Sequence, residues 1–130
     1  MRLAALLIAL ALPSHAQTEA PKAPTGGWRV VELGGMPTTA DDEVTLQFDA
    51  TQVSGRAACN RFSAELRVEP VFGLGPLAMT RMLCPGRASE LEALFVRLIG
   101  GVDGWRIDEG ALDLLAGDQV ILRAEAAPGP

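Results

Sequence analysis

Histidine and lysine are almost absent from this 130-residue chain, which contains one of each, His15 and Lys22, beside ten arginines. Serine and cysteine nucleophiles need a neighbouring base, most often histidine, to activate the hydroxyl or thiol. Lys22 lies in a stretch rich in proline and glycine and is poorly placed to act as that base. These scarcities argue against Ser-His, Ser-Lys and Cys-His catalysis, and we expect that the protein is not an enzyme.

Motifs that hold metals and phosphates are also missing. Two cysteines make at most half of a typical zinc site, because the single histidine, His15, lies in an N-terminal segment that we expect to be cleaved, and no C-x-x-C pair occurs. The acidic residues 41–43 lack the spacing of a calcium loop and are interpreted as a solvated loop. Glycines 100, 101 and 104 follow a predicted helix, whereas phosphate-binding glycines precede one. We therefore predict no metal and no cofactor.

Basic residues are outnumbered by acidic ones, 11 to 16, which gives a formal net charge of −5. Nucleic-acid affinity depends mostly on neutralising phosphates, so this balance disfavours a nucleic-acid partner. The chain is long enough for one domain, and its 48% hydrophobic and 21% charged residues are typical of a globular protein.

The N-terminus has the composition of a secretory signal peptide. Arg2 supplies a positive charge, residues 3–12 are all apolar, and residues 14–16 (Ser-His-Ala) place small side chains around a cleavage site. Ten residues span about 15 Å as a helix, whereas crossing a bilayer takes about 20 residues. No cysteine near the site would accept a lipid. We expect cleavage after Ala16 and a soluble periplasmic or secreted protein, not a lipoprotein, with no transmembrane segment.

Cleavage there would remove His15 and leave the mature chain without histidine. Residues 17–27 are polar and rich in proline, alanine and glycine, which predicts a flexible leader. The remaining residues, 28–125, are predicted to form the folded domain.

Short alternating segments separated by turn residues dominate that domain. Strands are predicted at residues 28–33, 44–48, 53–58, 65–69, 74–79, 105–108, 112–115 and 119–123. Gly55 is interpreted as a bulge or a close backbone approach, and residues 36–43, with Pro37, as a loop. The aromatic residues are expected in the core: Trp28, Phe48, Phe62, Phe72, Phe95 and Trp105.

One helix is predicted to begin at Ser89, because Ser89 and Glu92 have the spacing of a capping box. It ends at residues 100–101, two glycines. Its apolar stripe consists of Leu91, Leu94, Phe95 and Leu98. Six to eight strands with one helix predict an α+β, predominantly antiparallel domain in which this stripe covers the sheet or plugs an open barrel.

Two separated motifs resemble a known family. Residues 53–63 read V-S-G-R-A-A-C-N-R-F-S and residues 77–84 read L-A-M-T-R-M-L-C. They resemble the S-G-x-x-G-C-N-x-[FY]-x-G and L-x-x-T-x-M-x-C motifs of the META domain, the family of HslJ-like, heat-shock-associated proteins of the bacterial envelope. The resemblance covers residues 28–123. It implies a small, partly open β-barrel with one helix across it, similar in outline to a lipid-binding pilot protein of secretion systems, and a stress-associated role.

The sequence departs from the family motif at two glycines. Ala58 precedes the cysteine and Ala64 follows Ser63 where the family has glycine. Alanine tolerates a positive φ poorly, so we expect the local turns to differ.

Cys59 and Cys84 are the only cysteines, and an even count in an exported chain favours a disulfide. Two alternatives stay open at this point. Both residues would be buried thiols in the first, and one would be a nucleophilic or redox-active cysteine in the second.

Four polar residues beside the cysteines are candidates for binding: Asn60, Arg61, Thr80 and Arg81. If the disulfide forms, two guanidinium groups and an amide come close enough to bind a carboxylate or phosphate. A structural role is the favoured alternative, in which Asn60 caps a turn and the arginines pair with Glu65 or Glu69.

These observations favour a monomeric, non-enzymatic binding or accessory module of the envelope, whose partner is an envelope protein or an apolar small molecule. A lipid carrier would have a void beneath the helix. A filled barrel with an exposed apolar patch would favour protein binding through exposed strand edges in residues 65–79. A weak carboxylate-based hydrolase would need two close acids in a cleft, with a raised pKa.

Overall fold

A computed structural model describes residues 4–11 and 20–128, which contain ten strands, one α-helix and a short 3₁₀ helix at Ala40–Asp42. The strands are β1 (Gly26–Leu33), β2 (Met36–Pro37), β3 (Val44–Phe48), β4 (Gln52–Ala57), β5 (Asn60–Arg67), β6 (Gly73–Leu74), β7 (Ala78–Met79), β8 (Gly104–Asp108), β9 (Ala111–Ala116) and β10 (Gln119–Ala126). Helix α1 covers Arg87–Ile99.

All strand pairings are antiparallel, in the order β6-β5-β4-β3-β1-β10-β9-β8, with β2 paired to β1 and β7 to β5. The two ends of this order approach each other. The ring of Phe72, next to β6, lies 6.4 Å from that of Trp105 on β8. The sheet therefore curls into a nearly closed barrel, which confirms the predicted fold class.

Helix α1 packs its apolar stripe into this barrel. Leu91 and Phe95 are fully buried, and the Phe95 ring lies 4.9 Å from that of Phe62 on β5. Leu94 and Leu98 are half-buried against the same core. The predicted stripe is confirmed, and the barrel interior is filled by large side chains from strands and helix: Val30, Leu33, Val44, Leu46, Val53, Leu112, Leu114 and Leu122.

The predicted start of the helix is wrong. Helix α1 begins at Arg87, two residues before Ser89, and Gly86 is its N-cap residue. The backbone of Gly86 has φ +65°, a conformation that glycine adopts without steric cost. Glu92 makes no capping box; its side chain instead accepts a hydrogen bond from the backbone N–H of Asn60 at 2.9 Å.

Two strand predictions also need correction. The strand predicted at residues 65–69 is the end of β5, which begins at Asn60 because inward-facing apolar residues alternate with polar ones along the motif itself. The segment 74–79 forms the two short strands β6 and β7, since Pro76 between them lacks the N–H that a continuous ladder needs. The predicted loop at 36–43 contains β2 and the 3₁₀ helix.

The folded domain begins earlier than predicted. Pro24 is buried, β1 starts at Gly26, and the Lys22 ammonium lies 3.0 Å from a Glu69 carboxylate oxygen. The carbonyl of Lys22 also accepts a hydrogen bond from the Trp105 indole. Residues 22–27 of the predicted leader therefore contact the barrel or belong to β1, while 17–19 lie outside the described residues.

Residues 4–11 carry exposed leucines and no regular secondary structure, and the cleavage site predicted at 14–16 lies outside the described residues. The signal peptide stays a prediction. Within the described part of the chain, no helix has both the length and the apolar character needed to cross a membrane.

Gly55 is a point of close backbone approach. It pairs with Leu46 on β3 and Phe62 on β5, and the register is continuous on both sides, so no bulge is present. A Cβ at this position would collide with the backbone carbonyl oxygen of Thr45. Only glycine therefore lets β3 and β4 pair at this distance.

The helix is held to the barrel by an ion pair at its first turn. Arg87 Nε lies 2.8 Å from Asp42 Oδ1, and Arg87 Nη2 donates to Asp42 Oδ2 and to the Pro37 carbonyl. The backbone N–H of Thr39 also donates to Asp42. These hydrogen bonds, that of Arg87 first, lower the pKa of Asp42 from 3.8 to about 2.

We predict that Gly55→Ala destabilises the domain by about 3 kcal/mol, because the added methyl forces β3 and β4 apart. Denaturant unfolding measures the change. Gly35→Ala is the matched control: Gly35 also has a positive φ, but a Cβ there meets open space, so the cost is about 1 kcal/mol. Equal losses in the two variants would contradict the close approach at Gly55.

We also predict that Asp42 contributes to acid sensitivity. A carboxyl whose pKa is lower in the folded state stabilises the protein above its unfolded pKa of 3.8, and that stabilisation is lost as the pH falls toward about 2. The stability difference between wild type and Asp42→Asn should therefore shrink from pH 5 to pH 2 in denaturant titrations. Asp41→Asn, next to it but without an ion pair in the described structure, serves as control; a pH-independent difference for Asp42→Asn would refute the assignment.

Candidate functional site

The two cysteines form a disulfide, with their Cα atoms 5.9 Å apart. It joins the turn between β4 and β5 to the segment that leads into α1, and the described residues contain no free cysteine. The predicted disulfide is confirmed, and the alternative of two buried free thiols is wrong. In the chain-entropy model, a cross-link over 25 residues stabilises a fold by about 3–4 kcal/mol.

The turn before Cys59 has the left-handed geometry that a glycine would adopt. Ala58 has φ +67° and is buried, so the expectation that alanine changes this turn is wrong. Its left-handed backbone costs about 1–2 kcal/mol relative to glycine, which burial of the methyl group partly offsets. Ala64 lies in β5 opposite Val53, away from any turn.

Asn60 is buried and clamps the segment 80–82 against β5. Its side-chain Nδ2 donates to the carbonyl of Met82 at 3.1 Å, while its Oδ1 accepts from the Met82 N–H at 2.6 Å and from the Thr80 hydroxyl at 2.9 Å. All three hydrogen bonds stay within the protein. Asn60 therefore has a structural role, and it holds a distant segment as well as its own strand.

Thr80 is used in the same way. Besides donating to Asn60, its hydroxyl accepts from the backbone N–H of Arg61 at 3.0 Å, and its own N–H donates to the Arg61 carbonyl at 3.0 Å. These bonds continue the β5–β7 pairing by one residue on each strand. The structure thus brings all four candidate residues together, because Arg81 follows directly in the clamped segment.

Arg61 and Arg81 are both exposed, and neither has the structural role that was expected. The predicted pairing with Glu65 or Glu69 is wrong, because Glu69 pairs with Lys22. Neither Arg61 nor Arg81 forms an ion pair with any acid in the described residues. Both guanidinium groups are therefore available to an external anion.

An open groove of about 310 Å³ follows this junction of β5 and β7. Its lining combines one arginine with small and apolar side chains: Arg61, Phe62, Ser63, Ala78, Met79 and Thr80. Beyond it, Met82 is half exposed and Leu83 is fully exposed. The site is thus a largely apolar strand edge with Arg61 in its lining and the exposed Arg81 directly after it in the chain.

A buried acid that the sequence analysis missed lies on β9, near the other end of the strand order. Asp113 on β9 is fully buried and binds Arg123 of β10 through both carboxylate oxygens, at 2.7 and 3.1 Å, and Arg106 of β8 at 3.1 Å. Glu32 of β1 pairs in register with Arg123, so charges of alternating sign cross four strands. An acid between two core leucines was the signal for a buried ion pair.

Three carboxyl groups of the described residues have a lowered pKa. Arg123 and Arg106 lower the pKa of Asp113, and backbone N–H groups of Thr51 and Gln52 lower that of Asp49. Asp42 is lowered as well. A general acid at neutral pH needs the opposite shift, so these three carboxyl groups are unsuited to that role.

Comparison with known proteins gives one family and two similar structures. The family model of the META domain matches residues 22–128. The NMR structure of a protein from Burkholderia xenovorans has a TM-score of 0.64 at 18% identity, covering 91% of this chain and 100% of that one. A second NMR structure has a TM-score of 0.60 at 26% identity, covering 77% of this chain and 87% of that one. No curated protein matches significantly.

We predict that Asn60→Ala destabilises the domain by about 2–3 kcal/mol, because three hydrogen bonds are lost at once and their partners stay partly desolvated. Thr80→Val removes only the hydroxyl's two bonds, and we expect a loss of about 1 kcal/mol. Equilibrium unfolding with the disulfide intact measures both. A change below about 0.5 kcal/mol in Asn60→Ala would show that the clamp is dispensable.

Proposed function

This chain belongs to the META domain family, and we propose that it is an exported, stress-associated accessory module of the bacterial cell envelope. In this role it acts as a monomer that binds another envelope protein and catalyses no reaction. The disulfide supports export, because such bonds persist in oxidising compartments such as the periplasm. The apolar N-terminus with its small-residue cleavage site supports the same compartment.

The packed barrel interior is the observation that favours protein binding over lipid transport. A lipid carrier needs an apolar void, but Phe95 enters the barrel from the helix and meets Phe62 at 4.9 Å. Leu46, Leu91 and Leu114 are at most 1% exposed around them. Exposed apolar side chains lie outside the barrel instead, and Met82 and Leu83 are two of them, next to the groove.

The disulfide and the clamp also suit a protein that acts under stress. The net free energy of unfolding of a folded domain is small, about 5–15 kcal/mol, so a modest loss on heating can unfold it. A cross-link worth about 3–4 kcal/mol is a large part of that margin for a domain of this size. It fixes the exposed segment 80–84 to the barrel, so the surface offered to a partner persists while less constrained proteins unfold.

We predict that the protein recovered from its own envelope fraction carries no lipid. Native, non-reducing mass spectrometry should give a monomer that begins at Gln17, lacks two hydrogens because of the Cys59–Cys84 bond, and has no lipid-sized adduct. The same sample after reduction is the control for the two-hydrogen difference.

Each departure from that spectrum has a separate meaning. A lipid-sized mass that survives mild activation would replace protein binding with lipid transport. A full-length or reduced chain would refute export, and the proposed periplasmic location would then be withdrawn.

A further inference from the structure

We propose that the free edge of β7, beside the groove that the paired strands β5 and β7 line, binds an extended, acidic segment of another polypeptide, which adds there as a strand. In this arrangement carboxylates of the segment contact Arg61 and Arg81. The inference rests on the proposed protein-binding function and names its site and the chemistry of the partner.

The backbone of β7 offers hydrogen bonds on its free side. Hydrogen-bonded and non-hydrogen-bonded pairs alternate in an antiparallel ladder. The Thr80 N–H bonds to the Arg61 carbonyl, so the neighbouring Met79 turns its N–H and C=O away from β5. Among the described residues β7 pairs with β5 alone. An extended peptide can therefore continue the sheet there, as in other cases of strand addition.

Charge determines which peptide fits this edge. Five arginines of the described structure are neutralised by acids of the chain: Arg29, Arg56, Arg87, Arg106 and Arg123. Arg67 donates to the Leu74 carbonyl instead. Arg61 and Arg81 beside the groove have no such partner in the described residues, and neither does Arg97 on α1, although acids outnumber basic residues in the chain. Guanidinium groups bind carboxylates through paired hydrogen bonds, so the edge favours an acidic segment.

The site is held in place before any partner arrives. The disulfide fixes residue 84, and Asn60 fixes residues 80–82 through three hydrogen bonds. Leu83 lies between these anchors and is fully exposed. Because its backbone is anchored on both sides, Leu83 loses little backbone freedom when a partner binds. It supplies an apolar contact for the side chains of the peptide that alternate with the acids.

Selection of linear heptapeptides from a random display library on the purified, oxidised protein tests the proposal. We expect enrichment of aspartate and glutamate at alternating positions. For one synthesised heptapeptide from the enriched pool, Arg61→Glu and Arg81→Glu should each raise the Kd about tenfold, because each removes a charge-assisted contact. On binding, hydrogen exchange of the Met79 amide should slow.

Arg97→Glu is the matched control. Arg97 is an exposed arginine of α1 that also lacks an ion pair in the described residues, and its substitution changes the net charge equally. We expect its Kd to stay within twofold of wild type. Leu83→Ser should weaken binding, whereas Val96→Ser, another exposed apolar residue, should not. No enrichment, enrichment without acids, or an equal effect of Arg97→Glu would overturn the proposal.

Two further outcomes distinguish failure of the proposed peptide site from failure of the proposed protein-binding function. Vesicles of phosphatidylglycerol and phosphatidylcholine that bind wild type but not Arg61→Glu would assign the arginines to an anionic lipid surface and overturn the peptide site. Peptides whose binding perturbs amides of β8, and not those of β7, would leave protein binding intact and refute this site alone.

Discussion

The clamp that Asn60 makes on residues 80–82 is the interaction on which the functional surface depends. The segment after β7 has no long strand to hold it, since β7 itself is only two residues, Ala78–Met79. Its position is fixed instead by one buried amide, the hydroxyl of Thr80 and the disulfide at its end. Because these contacts consume the polar groups of Asn60 and Thr80, the two exposed arginines are the groups left for an external ligand.

The filled barrel is the reason that we propose a binding site on the outside of this molecule. Its inner face is filled by leucines, valines and the helix residue Phe95, so the interior contributes stability. The outer face of β8, β9 and β10 is closed by the ladder around Asp113, whose charges neutralise each other. In a salt-bridge ladder of this kind the charged side chains bind one another across the strands, so few charged groups are free to bind a ligand. The junction of β5 and β7 lacks such closure.

Much of the fold was predictable from the sequence, because period-two alternation and the helical stripe depend on local pattern alone. Strand β3 was predicted with its observed ends, and the stripe through Leu91 and Phe95 packs as expected. Errors arose where a distant partner determines the local structure. Helix α1 begins at Arg87 because Asp42 binds it, and no pattern near Ser89 contains that information. Only the end of β5 was predicted as a strand, because its first residues, 60–63, belong to the cysteine motif.

The candidate site was predictable as a group of residues but not in its chemistry. Proximity of Asn60, Arg61, Thr80 and Arg81 follows once Cys59 and Cys84 are joined. Which of them are satisfied internally depends on hydrogen-bond directions across twenty residues, which spacing does not encode. Asp113 was missed for the same reason, since its two arginine partners lie on separate strands.

The disulfide also has a topological consequence. Its two cysteines enclose β5, β6 and β7 together with the exposed residues 69–71, so this part of the chain is a covalent ring. A protease that cuts the exposed loop opens the ring but releases no fragment. The cut molecule keeps its mass apart from one added water, and the strand edge stays attached to the barrel through sulfur. In a compartment that contains proteases, this ring lets the surface survive a break in its own backbone.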